Sequence, residues 1–108
     1  MSKHVLVVQS NAVAGREDEY NRWYSDQHLG DVIKVPGILT AQRFKIATDG
    51  ANAKWKYLAI YEVETDDLAK TMAALNSRAG TPDMVISDAM DMQSVSMAPW
   101  VAITDKMS

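Results

Sequence analysis

An α+β fold, with two helices laid on one face of a four-stranded antiparallel sheet, follows from three observations on this 108-residue chain. Extended and helical patterns alternate in the order strand, helix, strand, strand, helix, strand. The two middle strands are joined by a turn cluster, Thr48-Asp49-Gly50-Ala51-Asn52, which returns the chain as a hairpin. Right-handed crossovers then place both helices on the same side of the sheet.

Each element carries its own signal. His4 to Ser10 is a run of β-branched and aliphatic residues, as expected of a strand buried on both faces. After turn chemistry at Asn11 to Gly15, a helix runs from Arg16 to about Val32, with Glu17, Asp18 and Glu19 at the positive end of its dipole. Gly30 is expected to loosen this helix, and Pro36-Gly37 ends the segment. Ile38 to Thr48 alternates, with Thr40, Gln42, Phe44 and Ile46 set against Ala41, Arg43, Lys45 and Ala47.

Lys54 to Glu64 puts Trp55, Tyr57, Ala59, Tyr61 and Val63 on one face, and Lys56, Leu58, Ile60 and Glu62 on the other. Thr65 is expected to cap a helix from Asp66 to about Arg78, buried through Leu68, Met72 and Leu75. Gly80-Thr81-Pro82 stops it, and Asp83 to Gln93 is ambiguous, with a short helical turn as one option. Met97 to Thr104 reads as a last strand, and Pro99 inside it marks a sheet edge. The order is that of a ferredoxin-like βαββαβ sandwich, expected as a single domain over residues 1–108.

Composition narrows the function classes. A hydrophobic share of 47% and a charged share of 23% are those of a globular chain rather than a disordered one. The net charge of −3 offers no basis for nucleic-acid binding, which needs clustered Lys and Arg. Without cysteine there is neither a disulfide framework nor thiolate chemistry. The lack of cysteine makes a cytoplasmic address the default, and no stretch approaches the roughly 20 apolar residues of a membrane span, so no membrane partner is expected. Two histidines far apart, with no H-x-x-x-H pattern, make a metal site unexpected. A Gly-rich phosphate loop and a G-x-S-x-G elbow are both lacking, so no cofactor is expected either. Acid–base chemistry by His and Tyr in an apolar pocket is what remains.

The segment Glu19 to Gly37 concentrates that chemistry. His28 lies four residues after Tyr24, so an α-helix projects both from one face, with Trp23 on the neighbouring flank. A histidine with a reference pKa near 6.5 is largely neutral after modest burial and accepts a proton at pH 7. Tyr24 offers a hydrogen bond to a substrate carbonyl or to His28, although helix packing alone also explains it. Trp23 is either packing or an apolar wall. Tyr61 points toward His28 if its strand face meets the first helix, and into an interface if that face meets a second subunit. Arg43 is expected either in a surface salt bridge or bidentate on a carboxylate or phenolate. Met72, with Met84, Met90, Met92 and Met97, suits an adaptable apolar lining and equally an ordinary core.

The run WYSDQHLGDVIKVPG, followed by Arg43-Phe44 on the next strand, resembles the EthD-like branch of the dimeric α+β barrel superfamily. The motif covers Glu19 to Phe44, while the order of elements matches over the whole chain. The resemblance implies that His28 faces a ligand cavity, and that His4, on the first strand, reaches the same cavity as in relatives that cyclise polyketides. It also implies a homodimer. Two helices cover one sheet face only, so Val5, Val7, Leu58 and Ile60, or their opposite-parity neighbours, need a second copy to bury them.

The expected activity is that of a cofactor-free isomerase, lyase or cyclase acting on a small aromatic or lactone-like substrate. His28, Tyr61 and Tyr24 would carry the chemistry, and Trp23, His4, Arg43 and Met72 would bind the substrate. Two alternatives stand beside it: a non-catalytic binding or accessory protein, and a cofactor-free monooxygenase.

Overall fold

The computed structural model describes residues 2–108. Four strands, β1 (Ser2–Ser10), β2 (Ile38–Lys45), β3 (Tyr57–Thr65) and β4 (Ser96–Trp100), form one antiparallel sheet in the order β2-β3-β1-β4. β1 and β3 are therefore central, as their apolar character requires. Pro99 lies on the outer strand β4, opposite Leu6, where a missing N–H disturbs the ladder least. β4 starts one residue earlier and ends four residues earlier than the sequence pattern suggests, and β2 stops at Lys45 rather than Thr48. β3 begins at Tyr57 rather than Lys54. Trp55 leaves the strand face because its indole N–H is drawn to the carbonyl of Ser94.

The first helical segment is continuous but not uniform. It comprises α1 (Glu17–Trp23), a π turn (Tyr24–His28) and α2 (Leu29–Ile33). Gly30 sits inside α2, so the irregularity expected there falls in the π turn before it. The chain then turns through Pro36 and Gly37. Gly37 has φ +96°, and a Cβ on it would meet the Glu64 carbonyl at 3.3 Å, so both backbone and space call for glycine.

The third helix, α3 (Leu68–Arg78), is capped by Asp67, whose carboxylate accepts from Lys70 N–H at 3.0 Å. Thr65 is not the cap; its hydroxyl accepts instead from Asp67 N–H at 3.1 Å. Along α3 the buried residues are Thr71 and Leu75, whereas Leu68 and Met72 are half-buried. Thr71 tolerates burial because its hydroxyl donates to Thr65 Oγ1 at 2.8 Å. Residues 83–93 form turns rather than a helix, held by isolated bridges of Ala12 to Met90 and Ala79 to Met84.

Both helical segments pack on one sheet face. Leu6, Ile38, Ala59, Tyr61 and Val63 from the strands meet Tyr20, Tyr24, Val32, Val35 and Leu75. Met84, Ala89 and Met90 of the turn-rich segment complete this core. Register puts Val5, Val7, Leu58, Ile60, Phe44 and Trp100 on the opposite face. Val5, Phe44 and Trp100 are 37%, 40% and 60% exposed there. Among the described residues no helix is long and apolar enough to cross a membrane.

Candidate functional site

The π turn builds the site. Leu29 N–H bonds to the Tyr24 carbonyl, five residues back, so the turn holds more residues than an α-helical one. In a regular α-helix, residues five apart lie about 140° apart around the axis and cannot touch. The wider turn brings Trp23 and His28 together as a stack, with centroids 4.6 Å apart and planes at 26°. Tyr24 meets the same imidazole edge-on, at 4.9 Å and 87°.

His28 is 8% exposed, and its Nδ1 is buried with no hydrogen-bond partner. Burial lowers its pKa to about 4; Asp31 works weakly against this shift, and Arg43 adds to it. The imidazole is therefore neutral at pH 7, with a ring nitrogen uncommitted. Buried polar groups are normally paired, so an orphan of this kind needs an explanation, and a ligand is one.

One phenol, Tyr24, meets the imidazole directly, and a second, Tyr61, meets Tyr24. The hydroxyls of Tyr24 on the π turn and Tyr61 on β3 are 3.3 Å apart, both deeply buried. Burial raises the pKa of Tyr24 to about 12 and drives that of Tyr61 further upward, with neighbouring Tyr24 adding to the second shift. Both stay protonated at physiological pH and act as donors rather than bases. Tyr61 thus lies on the strand face that meets the first helix, as do Ala59 and Val63. Tyr20, one turn before Tyr24, shares a 2.5 Å hydrogen bond with Ser10.

Arg43 extends from β2 across this cluster. Its guanidinium sits 4.5 Å from the Tyr24 ring centroid, and also over Tyr20 and Tyr57 at 5.3 and 5.6 Å. It donates to Ser25 Oγ at 2.8 Å, Asn21 Oδ1 at 2.9 Å and the Asn21 carbonyl at 3.4 Å. No salt bridge forms: among the described residues no carboxylate pairs with it. The surface ion pair considered for this residue is replaced by neutral partners on the helix above.

Trp23 is half-buried, and its indole N–H donates to the Val85 carbonyl at 3.1 Å, tying α1 to the turn-rich segment. His4 lies on the helix side of β1, opposite Val63 and diagonal to Tyr61, with its own Nδ1 buried and unpartnered. It lines an open cleft of about 440 Å³ with Leu39, Val63 and Trp100, and neither His28 nor Tyr24 lines that cleft. Met72 is on α3, half-buried against the core. Its place is with the core, whereas His28, Tyr24, Tyr61, Trp23 and Arg43 form one connected group.

Sequence reasoning missed Asn21 and Ser25, the residues that aim Arg43. The two are four residues apart and so share one helix face, and that spacing was the available signal. Among the described residues no group of three His, Asp or Glu side chains could hold a metal ion.

No protein-family model and no curated protein sequence matches the chain. Solved structures do. A monooxygenase candidate from Shewanella loihica PV-4 superposes with TM-score 0.65 at 12% identity, over 95% of this chain and 96% of that one. The heme-degrader MhuD of Mycobacterium tuberculosis, with two hemes bound in its active site, gives 0.62 at 17% identity, over 96% and 99%. An ethyl tert-butyl ether degradation (EthD) family protein from Bacillus halodurans C-125 gives 0.62 at 11%, over 95% and 100%. The chain therefore has the ferredoxin-like α+β fold of these proteins, the EthD family protein among them.

Proposed function

We propose that the chain is an enzyme that removes a proton from a small apolar substrate, aromatic or lactone-like, with His28 as the acceptor. The observation that carries this reading is the buried, unpartnered Nδ1 of a histidine held neutral in an aromatic cage. In the step, a C–H bond of the substrate breaks, its electron pair remains as an enolate, and the proton moves to the imidazole. Of the hydrogen-bonded pair Tyr24 and Tyr61, one O–H donates within the pair and the other is the donor available to the developing oxyanion. A pKa of about 4 makes His28 a weak base in the empty site, but an enolate beside the ring favours its protonated form. Return of the proton to another carbon completes an isomerisation; loss of a leaving group completes an elimination.

Trp23 and Tyr24 pack against the His28 ring, and the buried Met84 and Met90 of the same core offer side chains able to repack around a substrate. Unbranched, flexible methionine side chains suit that role. The hemes of the Mycobacterium relative do not fit at His28: Trp23 occupies the ring face and Tyr24 lies against the same imidazole.

A monooxygenase is the second reading, supported by the fold shared with the Shewanella protein. It starts with the same proton removal, after which the electron-rich anion is oxidised by dioxygen: one oxygen atom bonds to the substrate carbon, which ends as a carbonyl, and the other leaves as water. One experiment separates the possibilities. A panel of acidic lactones and phenols is incubated with the protein in D₂O, with deuterium incorporation read by NMR and oxygen uptake by electrode. Exchange without oxygen uptake supports the isomerase or lyase reading, and exchange with stoichiometric uptake supports the monooxygenase. His28→Ala should slow exchange by about 10² to 10⁴. Exchange that survives this substitution undiminished contradicts the assignment, and a chain that binds panel members without exchange is a binding protein.

A further inference from the structure

The guanidinium of Arg43 is half-buried, yet no carboxylate neutralises it among the described residues. Removing a cation partly from water without a counter-charge is costly, and three tyrosine rings recover only part of that cost. The group is also oriented with care. Asn21 and Ser25 take three of its five N–H donors, by the bonds to Asn21 Oδ1, the Asn21 carbonyl and Ser25 Oγ. Of the two that remain, one is drawn toward the Tyr20 hydroxyl, which leaves a donor for a ligand. Asn21 is itself fixed, its amide donating to the Tyr57 hydroxyl at 3.3 Å.

Arg43 borders an open cleft of about 280 Å³, lined besides by Asn21, Phe44, Lys45 and Tyr57. That lining holds two cationic side chains, a phenol and an amide, and no acidic residue. The Tyr57 ring, on the same sheet face as Arg43, flanks the charge. Positive charge without compensation, donors held in place and the flanking Tyr57 ring describe a receptor for an organic anion.

We propose that this cleft binds the carboxylate of the substrate, so that the molecule whose proton His28 accepts is an aromatic or lactone acid rather than a neutral compound. The inference rests on the acid–base reading of His28 for its identity as substrate, but the anion site stands on its own residues. Arg43 provides the charged fork, Lys45 the longer-range attraction, and Asn21 and Ser25 position the fork. The guanidinium lies against the Tyr24 ring, so an anion held there is one aromatic ring away from the His28 cage.

The test uses benzoate as the probe and benzamide as its neutral isostere, titrated into the ¹⁵N-labelled full chain. Benzoate should shift the Arg43 Nε–H and the Asn21 side-chain amide, and benzamide should bind at least about tenfold more weakly, the scale of one charge-assisted contact. Arg43→Gln should weaken benzoate by a similar factor, while Arg16→Gln, on the far salt-bridge cluster, should leave it unchanged. If Arg43→Gln fails to fold, Lys45→Gln serves instead, with an expected loss of about threefold that disappears at high salt. Equal affinity for the two probes, or benzoate shifts confined to residues away from Arg43, would overturn the anion site. His28→Gln should retain benzoate binding. Loss of exchange chemistry with benzoate binding intact therefore speaks to His28 alone, and the reverse speaks to the cleft alone.

Discussion

The imidazole of His28 stacks on the indole of Trp23 five residues before it, a contact available only because the helix between them takes a π turn. The stack buries the histidine, and burial is the leading cause of its low pKa. Trp23→Ala should therefore expose the ring and move its pKa from about 4 toward the ordinary value of 6.5. Titration of the His28 ring resonances by NMR measures this. A pKa that stays near 4 in the variant would show that something other than the aromatic cover depresses it.

The same shift links His28 to stability. The folded pKa of about 4 lies below the ordinary histidine value of 6.5. Between the two the unfolded chain binds more protons, so stability rises with pH through that window. The contribution is complete above 6.5 and is lost as the pH falls to 4, with a size on the order of 3 kcal/mol. Denaturant melts at pH 7 and pH 4.5 should show this loss in the wild-type chain, and His28→Gln should show a smaller one. Identical pH dependence in both would remove His28 as its source.

Tyr24 and Tyr61 should behave as a coupled pair. Either Tyr→Phe change leaves the other hydroxyl buried without its partner, at a cost of about 1 to 3 kcal/mol. Tyr24→Phe with Tyr61→Phe removes both polar atoms together and should cost less than the sum of the singles. A double-mutant cycle by chemical denaturation gives the coupling energy. Strict additivity would mean that the 3.3 Å contact contributes nothing.

The face carrying Val5, Val7, Leu58, Ile60, Phe44 and Trp100 is apolar and uncovered, which predicts a two-fold pairing of sheets. Sedimentation at micromolar concentration should give about twice the 12.0 kDa of one chain, since apolar obligate interfaces run to roughly 2,000 Å² or more. Ile60→Glu, at the centre of that face, should yield a monomer or an unstable chain. A wild-type monomer would leave the exposed face unexplained.

Much of the architecture was legible because it depends on local pattern. Strand parity grouped Ala59, Tyr61 and Val63 correctly, and Pro99 marked the edge strand. Parity could not say which face met the helices, because both faces of β3 are apolar. The π turn escaped for a different reason. Spacing of four between Tyr24 and His28 satisfies an α-helix, so nothing in the pattern signals a wider turn or a Trp23 stack. Of the two options for Arg43, the surface ion pair does not form, because its partners Asn21 and Ser25 come from a helix about twenty residues earlier. Asp67 displaced Thr65 as the cap of α3 because Thr65 turns its hydroxyl to Asp67 N–H. These contacts are tertiary or depend on side-chain direction, and no periodicity encodes them.

The most direct test of His28 as proton acceptor is the pH–rate profile of deuterium exchange, read as kcat/KM for a responsive member of the lactone and phenol panel. The acid limb of that profile reports the ionisation of the free enzyme's essential base. It should fall at about 4, the pKa that burial imposes on His28, and Trp23→Ala should move the limb upward together with the His28 resonances. An acid limb near 6.5 in the wild-type chain, or a profile unchanged by His28→Gln, would contradict the account.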